Sequence, residues 1–130
     1  MTDKRRGFTL VEIMIVVGII AMLAAIAIPN MLRARVTANE ALAQSTLKAV
    51  ATAMETYSNS NNGNYPTDPN LLVGANPPYL RTNFCSGQYS GYLFNCGLTA
   101  GTYSITASPV SSSMGTKSFT VTTGAVLKTN

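Results

Sequence analysis

Residues 4–35 read KRRGFTLVEIMIVVGIIAMLAAIAIPNMLRAR, and this stretch decides the fold of the amino-terminal part of the chain. No charged side chain interrupts the twenty residues between Glu12 and Arg33. A helix rises about 1.5 Å per residue, so this segment spans about 30 Å, the thickness of a bilayer's hydrocarbon core. The sequence therefore predicts a membrane-length helix, and the basic residues at 4–6 predict a cytoplasmic amino terminus.

Three interpretations of this helix differ in what becomes of it. A secretory signal peptide would be cleaved after Ala27, because Ala25-Ile26-Ala27 fits a small-x-small cleavage site. A plain single-pass anchor would stay in the membrane. The third interpretation begins from Glu12, since a carboxylate near the edge of an apolar helix is costly unless it is paired. Neither a discarded signal peptide nor a plain anchor needs such a residue.

The same residues resemble the amino-terminal signature of type IV prepilins and of the related pseudopilins of type II secretion. A basic leader ending in Gly7, the motif G-F-T-L-x-E and the apolar run after it carry the resemblance. The resemblance implies a leader peptide, residues 1–7, which prepilin peptidase removes between Gly7 and Phe8, with N-methylation of Phe8. The apolar helix, residues 8–32, then stays in the product as a transmembrane anchor and later as part of a filament core.

Glu12 is the fifth residue after the implied cleavage, where the family keeps its glutamate. Cleavage would create an α-ammonium group on Phe8 at the edge of an apolar helix, and a charge buried there needs a counter-ion. In filaments of the family, the amine of one subunit pairs with the glutamate of its neighbour. We therefore expect Glu12 to set the register of incoming subunits during assembly.

Two residues inside the apolar segment are expected to weaken the helix or shape its packing. Gly18 and the alanines around it leave room for close helix approach, although small residues are common in membrane helices generally. Pro29 lacks an N–H and clashes with the carbonyl of Ala25, so we expect a kink or a loosening there. Filaments of the family often have a stretched segment between a glycine and this proline, and Gly18 and Pro29 would bracket it.

An amphipathic continuation of the helix is predicted for residues 33–58. Charged residues, including Glu40 and Glu55, mostly occupy faces other than the apolar one. The Ser/Asn/Gly run at 58–64 is expected to end the helix. The apolar residues recur at helical spacing and form one stripe for a sheet to cover; they are Val36, Ala43, Leu47, Val50, Met54 and Tyr57.

Residues 59–130 are expected to form a globular head that begins with an αβ-loop. Short helical turns are predicted near Leu71–Val73 and Tyr79–Arg81 within this loop, and a tight turn at 123–125. The predicted class is α+β, a long amino-terminal helix with a small antiparallel sheet packed on its second half. Alternating aromatic, β-branched and hydroxyl residues predict three or four strands; these are 91–95, 102–108, 117–123 and 125–128.

The two cysteines, Cys85 and Cys96, lie in this head. Outside the cytoplasm they would pair as a disulfide, and two buried free thiols are the alternative. Two cysteines without histidine cannot form a zinc site. Between them, Tyr92 and Phe94 are expected to belong to the core of the head.

The composition argues against catalysis, cofactors and nucleic acid. The chain has no His and five acidic residues among 130, which removes His-based triads and His metal sites. Asp68 is the only acid after Glu55, so neither a calcium site nor any other cofactor is expected. The net charge is +4, and three of the nine basic residues lie in the first six positions, so no nucleic-acid partner is expected.

The resemblance implies a structural subunit of a type IV pilus rather than an enzyme. Such a subunit begins as a single-pass inner-membrane precursor with a cytoplasmic amino terminus and ends in a filament on the cell surface. Its implied partners are further copies of the chain, the prepilin peptidase and N-methyltransferase, the inner-membrane pilus assembly machinery and the membrane itself. A pseudopilin of a type II secretion system is one alternative. An exported monomeric binding domain, released by cleavage after Ala27, is the alternative from another class.

Overall fold

The computed structural model describes residues 7–130, so most of the predicted leader, residues 1–6, lies outside the described residues. Helix α1 is Leu10–Ser60, 51 residues long, against a predicted 8–58. The chain divides into two compact units, one ending at Ala34 and the other beginning at Arg35. The domain boundaries expected at 32/33 and 58/59 stay a prediction.

The first unit carries its apolar side chains on the outside. None of residues 7–34 is buried, and the large apolar side chains among them are between 47% and 81% exposed. A helix that is apolar on every face is stable only in lipid or inside protein. Within the described part of the chain, α1 is the one helix long and apolar enough to cross a membrane.

In the second unit, five antiparallel strands form one sheet, in the order in which they follow along the chain. The predicted α+β class is confirmed, but the expected count of three or four strands is wrong. Strand β1 has only two residues, too few for an alternating pattern, and is paired to β2 through a tight turn at Ser90 and Gly91. The strands are β1 Gln88–Tyr89, β2 Tyr92–Leu98, β3 Tyr103–Pro109, β4 Phe119–Thr122 and β5 Val126–Thr129.

A single apolar core joins one face of this sheet to α1. Four of the six predicted stripe residues are buried, and the outer two, Val36 and Tyr57, are half-buried. Tyr92 and Phe94 are buried as predicted. From the sheet, alternate residues of β3 and β4 point into the core, and Ile105 lies opposite Val121 in the ladder. The helix residues of the core are Ala43, Leu47, Val50, Ala51, Ala53 and Met54.

Of the two helical turns predicted in the αβ-loop, the structure contains one. Helix α2, Asn70–Val73, matches the turn expected near Leu71–Val73. The turn expected at Tyr79–Arg81 is wrong, because the N–H groups of Tyr79 and Leu80 both donate to the carbonyl of Leu72 and hold this segment against α2. A 3₁₀ turn forms instead at Phe84–Ser86.

Two of the chain reversals in the second unit have left-handed backbone conformations at glycine. At the end of α1, Gly63 has φ +83° and its N–H donates to the carbonyl of Ser58 at 2.9 Å, which satisfies a terminal helix carbonyl. Between β4 and β5, the predicted turn at 123–125 is present, with Gly124 at φ +80°. Glycine adopts both conformations without steric cost.

Candidate processing and assembly site

The predicted processing site lies in open chain just before α1. Gly7, Phe8 and Thr9 precede the helix, and Phe8 is 81% exposed. Exposed backbone outside secondary structure is where proteolysis concentrates. The bond between Gly7 and Phe8 is therefore accessible to a peptidase.

Glu12 lies in the first turn of α1, where Thr9 contacts it through a reciprocal pair of hydrogen bonds. The backbone N–H of Glu12 donates to Thr9 Oγ1 at 3.2 Å, and the backbone N–H of Thr9 donates to Glu12 Oε2 at 3.5 Å. This is a capping box, which satisfies two N–H groups that the helix itself leaves without partners. Sequence reasoning missed the role of Thr9, although the spacing Thr-x-x-Glu is the signal for it.

The capping box places a carboxylate at the positive end of the helix dipole. Both hydrogen bonds are exposed, so the carboxylate is also open to a second partner. An arriving ammonium group would find an acceptor already oriented by Thr9. The pairing of Glu12 with an amine stays a prediction.

Gly18 and Pro29 both lie within continuous helix in this chain. A methyl group added at Gly18 would have no neighbour within 4 Å, so the monomer itself does not require glycine there. Pro29 leaves the carbonyl of Ala25 without its usual helical donor, but the helix is not interrupted. The stretched segment that the resemblance implied is absent from this single chain, and the assembly roles of Gly18 and Pro29 remain predictions.

The predicted disulfide between Cys85 and Cys96 is present, with 5.6 Å between the two Cα atoms. It fastens the 3₁₀ turn Phe84–Ser86 to β2. Beside it, the rings of Phe84 and Tyr89 meet edge to face with centroids 4.9 Å apart. The short strand β1 thus follows a turn that is covalently bonded to β2, and its Tyr89 ring packs against Phe84 of that turn.

Glu55 is a half-buried hydrogen-bond acceptor in the second unit, whereas the sequence placed it among solvent-facing charges. Its Oε2 accepts from the hydroxyl of Tyr65 at 3.0 Å, and its Oε1 accepts from the hydroxyl of Tyr103 at 3.0 Å. Oε1 also accepts from the N–H of Gly124 at 2.9 Å. Burial and the hydrogen bond to Glu55 raise the pKa of the Tyr103 hydroxyl well above its ordinary value.

Glu40 holds the connection between β3 and β4. Its Oε1 accepts from the N–H of Thr116 at 3.0 Å and from the Thr116 hydroxyl at 2.8 Å. These two hydrogen bonds lower the pKa of the Glu40 carboxyl from its ordinary value, with a smaller contribution from the charge of Lys117. Sequence reasoning found no signal for this contact because 76 residues separate the partners.

Among residues 7–130, no group of three His, Cys, Asp or Glu side chains is close enough to hold a metal ion. Glu40 and Glu55 are each engaged with separate parts of the head. Both carboxylates therefore serve as contacts within the fold of the head.

Comparison with known families agrees with the amino-terminal motif. Residues 2–28 match the model of the prokaryotic N-terminal methylation motif. No solved structure matches the chain.

Individual relatives extend the similarity into the head. The type IV wide pilus major component PilA4 of Thermus thermophilus is 33% identical over 108 residues, 80% of this chain and 82% of the relative. The type II secretion system core protein G of Escherichia coli is 42% identical over 92 residues, 68% of this chain and 63% of the relative. The type IV major pilin protein PilA of Myxococcus xanthus is 48% identical over 54 residues, 42% of this chain and 24% of the relative. The chain therefore belongs to the family of type IV pilins and type II secretion pseudopilins.

Proposed function

We propose that this chain is a major structural subunit of a type IV pilus. It is made as a single-pass inner-membrane precursor with a cytoplasmic leader, cut between Gly7 and Phe8, methylated at Phe8 and polymerised helix-first into a filament on the cell surface. Its product is a fibre, and no catalytic activity is proposed. The coverage of the Thermus pilus component across 82% of that protein supports this assignment.

The proposal rests on one observation. The first part of α1 is apolar on every face and exposed, and the carboxylate of Glu12 lies in its first turn. In the membrane, lipid covers this surface. In a fibre, the same surface packs against copies of itself, and Glu12 pairs with the amine of a neighbouring Phe8. The apolar residues give affinity between helices, and the pair sets the register.

Determining the amino terminus of the mature protein tests the proposed processing. Sequencing and intact mass of the purified fibre protein should show 123 residues beginning at N-methylated Phe8, since seven of the 130 residues are removed. A mature chain beginning at Ile28 would instead identify an exported domain released after Ala27. Fibres imaged by cryo-microscopy, with the sequence assigned from density, complete the test.

Two variants test the proposed assembly, because one removes the charge of Glu12 and the other removes its capping partner. Glu12→Gln keeps an N3 residue that suits a capping box but removes the charge. Because removing one partner of a buried ion pair costs about 3–5 kcal/mol, fibre yield should fall about a hundredfold or more, with membrane insertion unchanged. Thr9→Val is the matched control, because it removes the capping hydroxyl at a cost of about 1 kcal/mol and keeps the carboxylate.

The fibre yields of the two variants distinguish charge pairing between subunits from capping of the helix. A large loss of fibres in Glu12→Gln with a small loss in Thr9→Val supports charge pairing between subunits. A small loss of fibres in Glu12→Gln, with an equal or larger loss in Thr9→Val, would mean that Glu12 acts through the helix cap, and the proposed pairing would be wrong.

A pseudopilin of a type II secretion system is the second candidate. It is favoured by the 42% identity to core protein G of Escherichia coli. The segment 62–67, NGNYPT, is similar to the G-x-Y-P segment of many pseudopilins and small pilins, so it fits both candidates. In the structure, Tyr65 of this segment donates to Glu55 and Pro66 is fully buried. Deleting the gene separates the two functions: loss of long surface fibres indicates a pilus, and loss of protein export indicates a pseudopilus.

A further inference from the structure

The connection between β3 and β4, residues 110–118, is fastened to α1 by two neighbouring side chains of the helix. Asn39 Nδ2 donates to the carbonyl of Met114 at 2.9 Å. Glu40 accepts two hydrogen bonds from Thr116. The two ends of the connection bond to the sheet instead: the Val110 N–H donates to the Gly91 carbonyl at 3.0 Å, and the Tyr92 hydroxyl donates to the Lys117 carbonyl at 2.8 Å. Asn39 and Glu40 therefore hold the middle of the connection against the helix.

The thioether of Met114 lies at the centre of this attachment. Its sulfur is 3.8 Å from Asn39 Nδ2, within reach of a weak hydrogen bond. On its other side is Gly91 of the turn between β1 and β2, where an added methyl group would lie 3.0 Å from the sulfur. One half-buried methionine therefore contacts both the helix and the sheet.

Met114 differs from the other methionines of the described chain. Met14, Met22 and Met31 lie on the apolar part of α1, which lipid, detergent or neighbouring helices cover under the proposed function. Met54 is 0% exposed in the core of the head. Met114 is the one described methionine that lies in a connection between strands, partly open to solvent.

We propose that Met114 is a reversible oxidation site whose sulfoxide releases the Met114 segment of the β3–β4 connection from Asn39 of α1. The oxidant is hydrogen peroxide. A sulfur lone pair attacks one peroxide oxygen, an S–O bond forms and the O–O bond breaks. The leaving oxygen takes the remaining peroxide proton and departs as water. The sulfur is oxidised by two electrons and the peroxide is reduced by two, so no group of the protein supplies a proton or an electron.

Release follows from the space and the hydrogen bonds around the sulfur. A sulfoxide is polar and larger than a thioether, and both Gly91 and the Asn39 amide lie close to the Met114 sulfur. Its oxygen is also a far stronger acceptor than a thioether sulfur, so it competes with the Met114 carbonyl for the amide of Asn39. Either effect removes the hydrogen bond from Asn39 to the Met114 carbonyl, one of the two attachments of the connection to the helix, and leaves the bonds of Glu40 in place.

The first measurement is made on the full chain in detergent, treated with hydrogen peroxide and then digested with trypsin. Cleavage after Arg81 and Lys117 gives a peptide, 82–117, whose only methionine is Met114. The peptide 49–81 contains only Met54, which serves as an internal buried control. Because oxidation follows exposure, we expect peptide 82–117 to gain an oxygen atom about tenfold faster or more.

The second measurement asks whether oxidation releases the connection. Hydrogen exchange of the amides at 114–115 should become about fivefold to tenfold faster, as expected for the loss of one net hydrogen bond. Methionine sulfoxide reductase should restore the slow rate. Met114→Leu should not respond to peroxide, and Asn39→Ala should show the faster exchange without peroxide.

Two results would overturn the proposal. In the first, Met114 stays reduced for as long as Met54 does. In the second, Met114 is oxidised while exchange at 114–115 is unchanged. Both results are independent of fibre assembly, so the proposed function stands or falls separately.

Discussion

The two units of this chain use one helix for opposite purposes. Within residues 10–34 the helix exposes its apolar side chains, and Ile19 is 52% exposed. Within residues 35–60 it buries them beneath a sheet, and Leu47 is 0% exposed. The second unit thus contains the sheet that covers its own apolar surface, whereas the apolar surface of the first unit needs cover from lipid or from other protein. Substitutions in the two units should therefore affect different measurements.

The largest effect on folding is expected from truncating the buried stripe. Leu47→Ala should lower the stability of the head by about 2–5 kcal/mol, because it removes buried methyl groups and leaves a cavity. Thermal unfolding of the full chain in detergent, followed by near-ultraviolet circular dichroism, measures this. Ile19→Ala is the matched control in the first unit and should leave the transition unchanged. Equal destabilisation by both would contradict the separation of the two units.

Removing the disulfide should have the next largest effect. Replacing Cys85 and Cys96 together by Ser should cost about 3 kcal/mol, since the bond closes a short loop and restricts the unfolded chain. Urea titration under oxidising conditions compares the double variant with the parent. Adding a reductant to the parent should bring its midpoint to that of the variant. A midpoint that reductant does not change would show that the disulfide contributes nothing to stability.

A moderate loss of stability is expected when Glu55, whose carboxylate joins α1 to the β4–β5 hairpin, is replaced. Glu55→Gln keeps the shape but leaves too few acceptor atoms for Tyr65, Tyr103 and Gly124, and should cost about 1–3 kcal/mol. Exchange should accelerate most at the amides of Gly124 and Ala125, which bond to Glu55 and to the Tyr103 hydroxyl. Lys48→Gln, on an exposed face of the same helix, is the control and should change neither measurement.

The smallest expected effect is a pH dependence of the stability of the head, which arises from Glu40. Its folded pKa is lowered from an ordinary value of 4.5 by the hydrogen bonds from Thr116. The carboxylate therefore stabilises the fold fully above that ordinary value, and the contribution is lost as pH falls through the lower folded pKa. Melting temperatures measured from pH 6 down to acid should fall less steeply in Glu40→Gln. An identical slope in both proteins would count against this contribution.

Much of the first unit was predictable because its information is local. The charge-free run of residues 13–32, the leader motif and Glu12 are all read along the chain, and a helix of this kind needs no long-range contact to be recognised. The Thr9–Glu12 capping box was also local, with a spacing of three residues, and was overlooked. The strands β2 to β5 were found through alternation, whereas the two-residue β1 offered no pattern.

By itself, the sequence determined that a membrane-length helix follows a processing motif, that an apolar stripe continues along it, and that strands and two cysteines form the head. These features follow from hydrophobic periodicity and residue type, which act over a few neighbouring positions. Only the tertiary structure decided which polar groups meet: Glu55 with Tyr103, Glu40 with Thr116, and Asn39 with Met114. These pairs are 48 to 76 residues apart, and no local pattern specifies a contact that forms only when the sheet covers the helix.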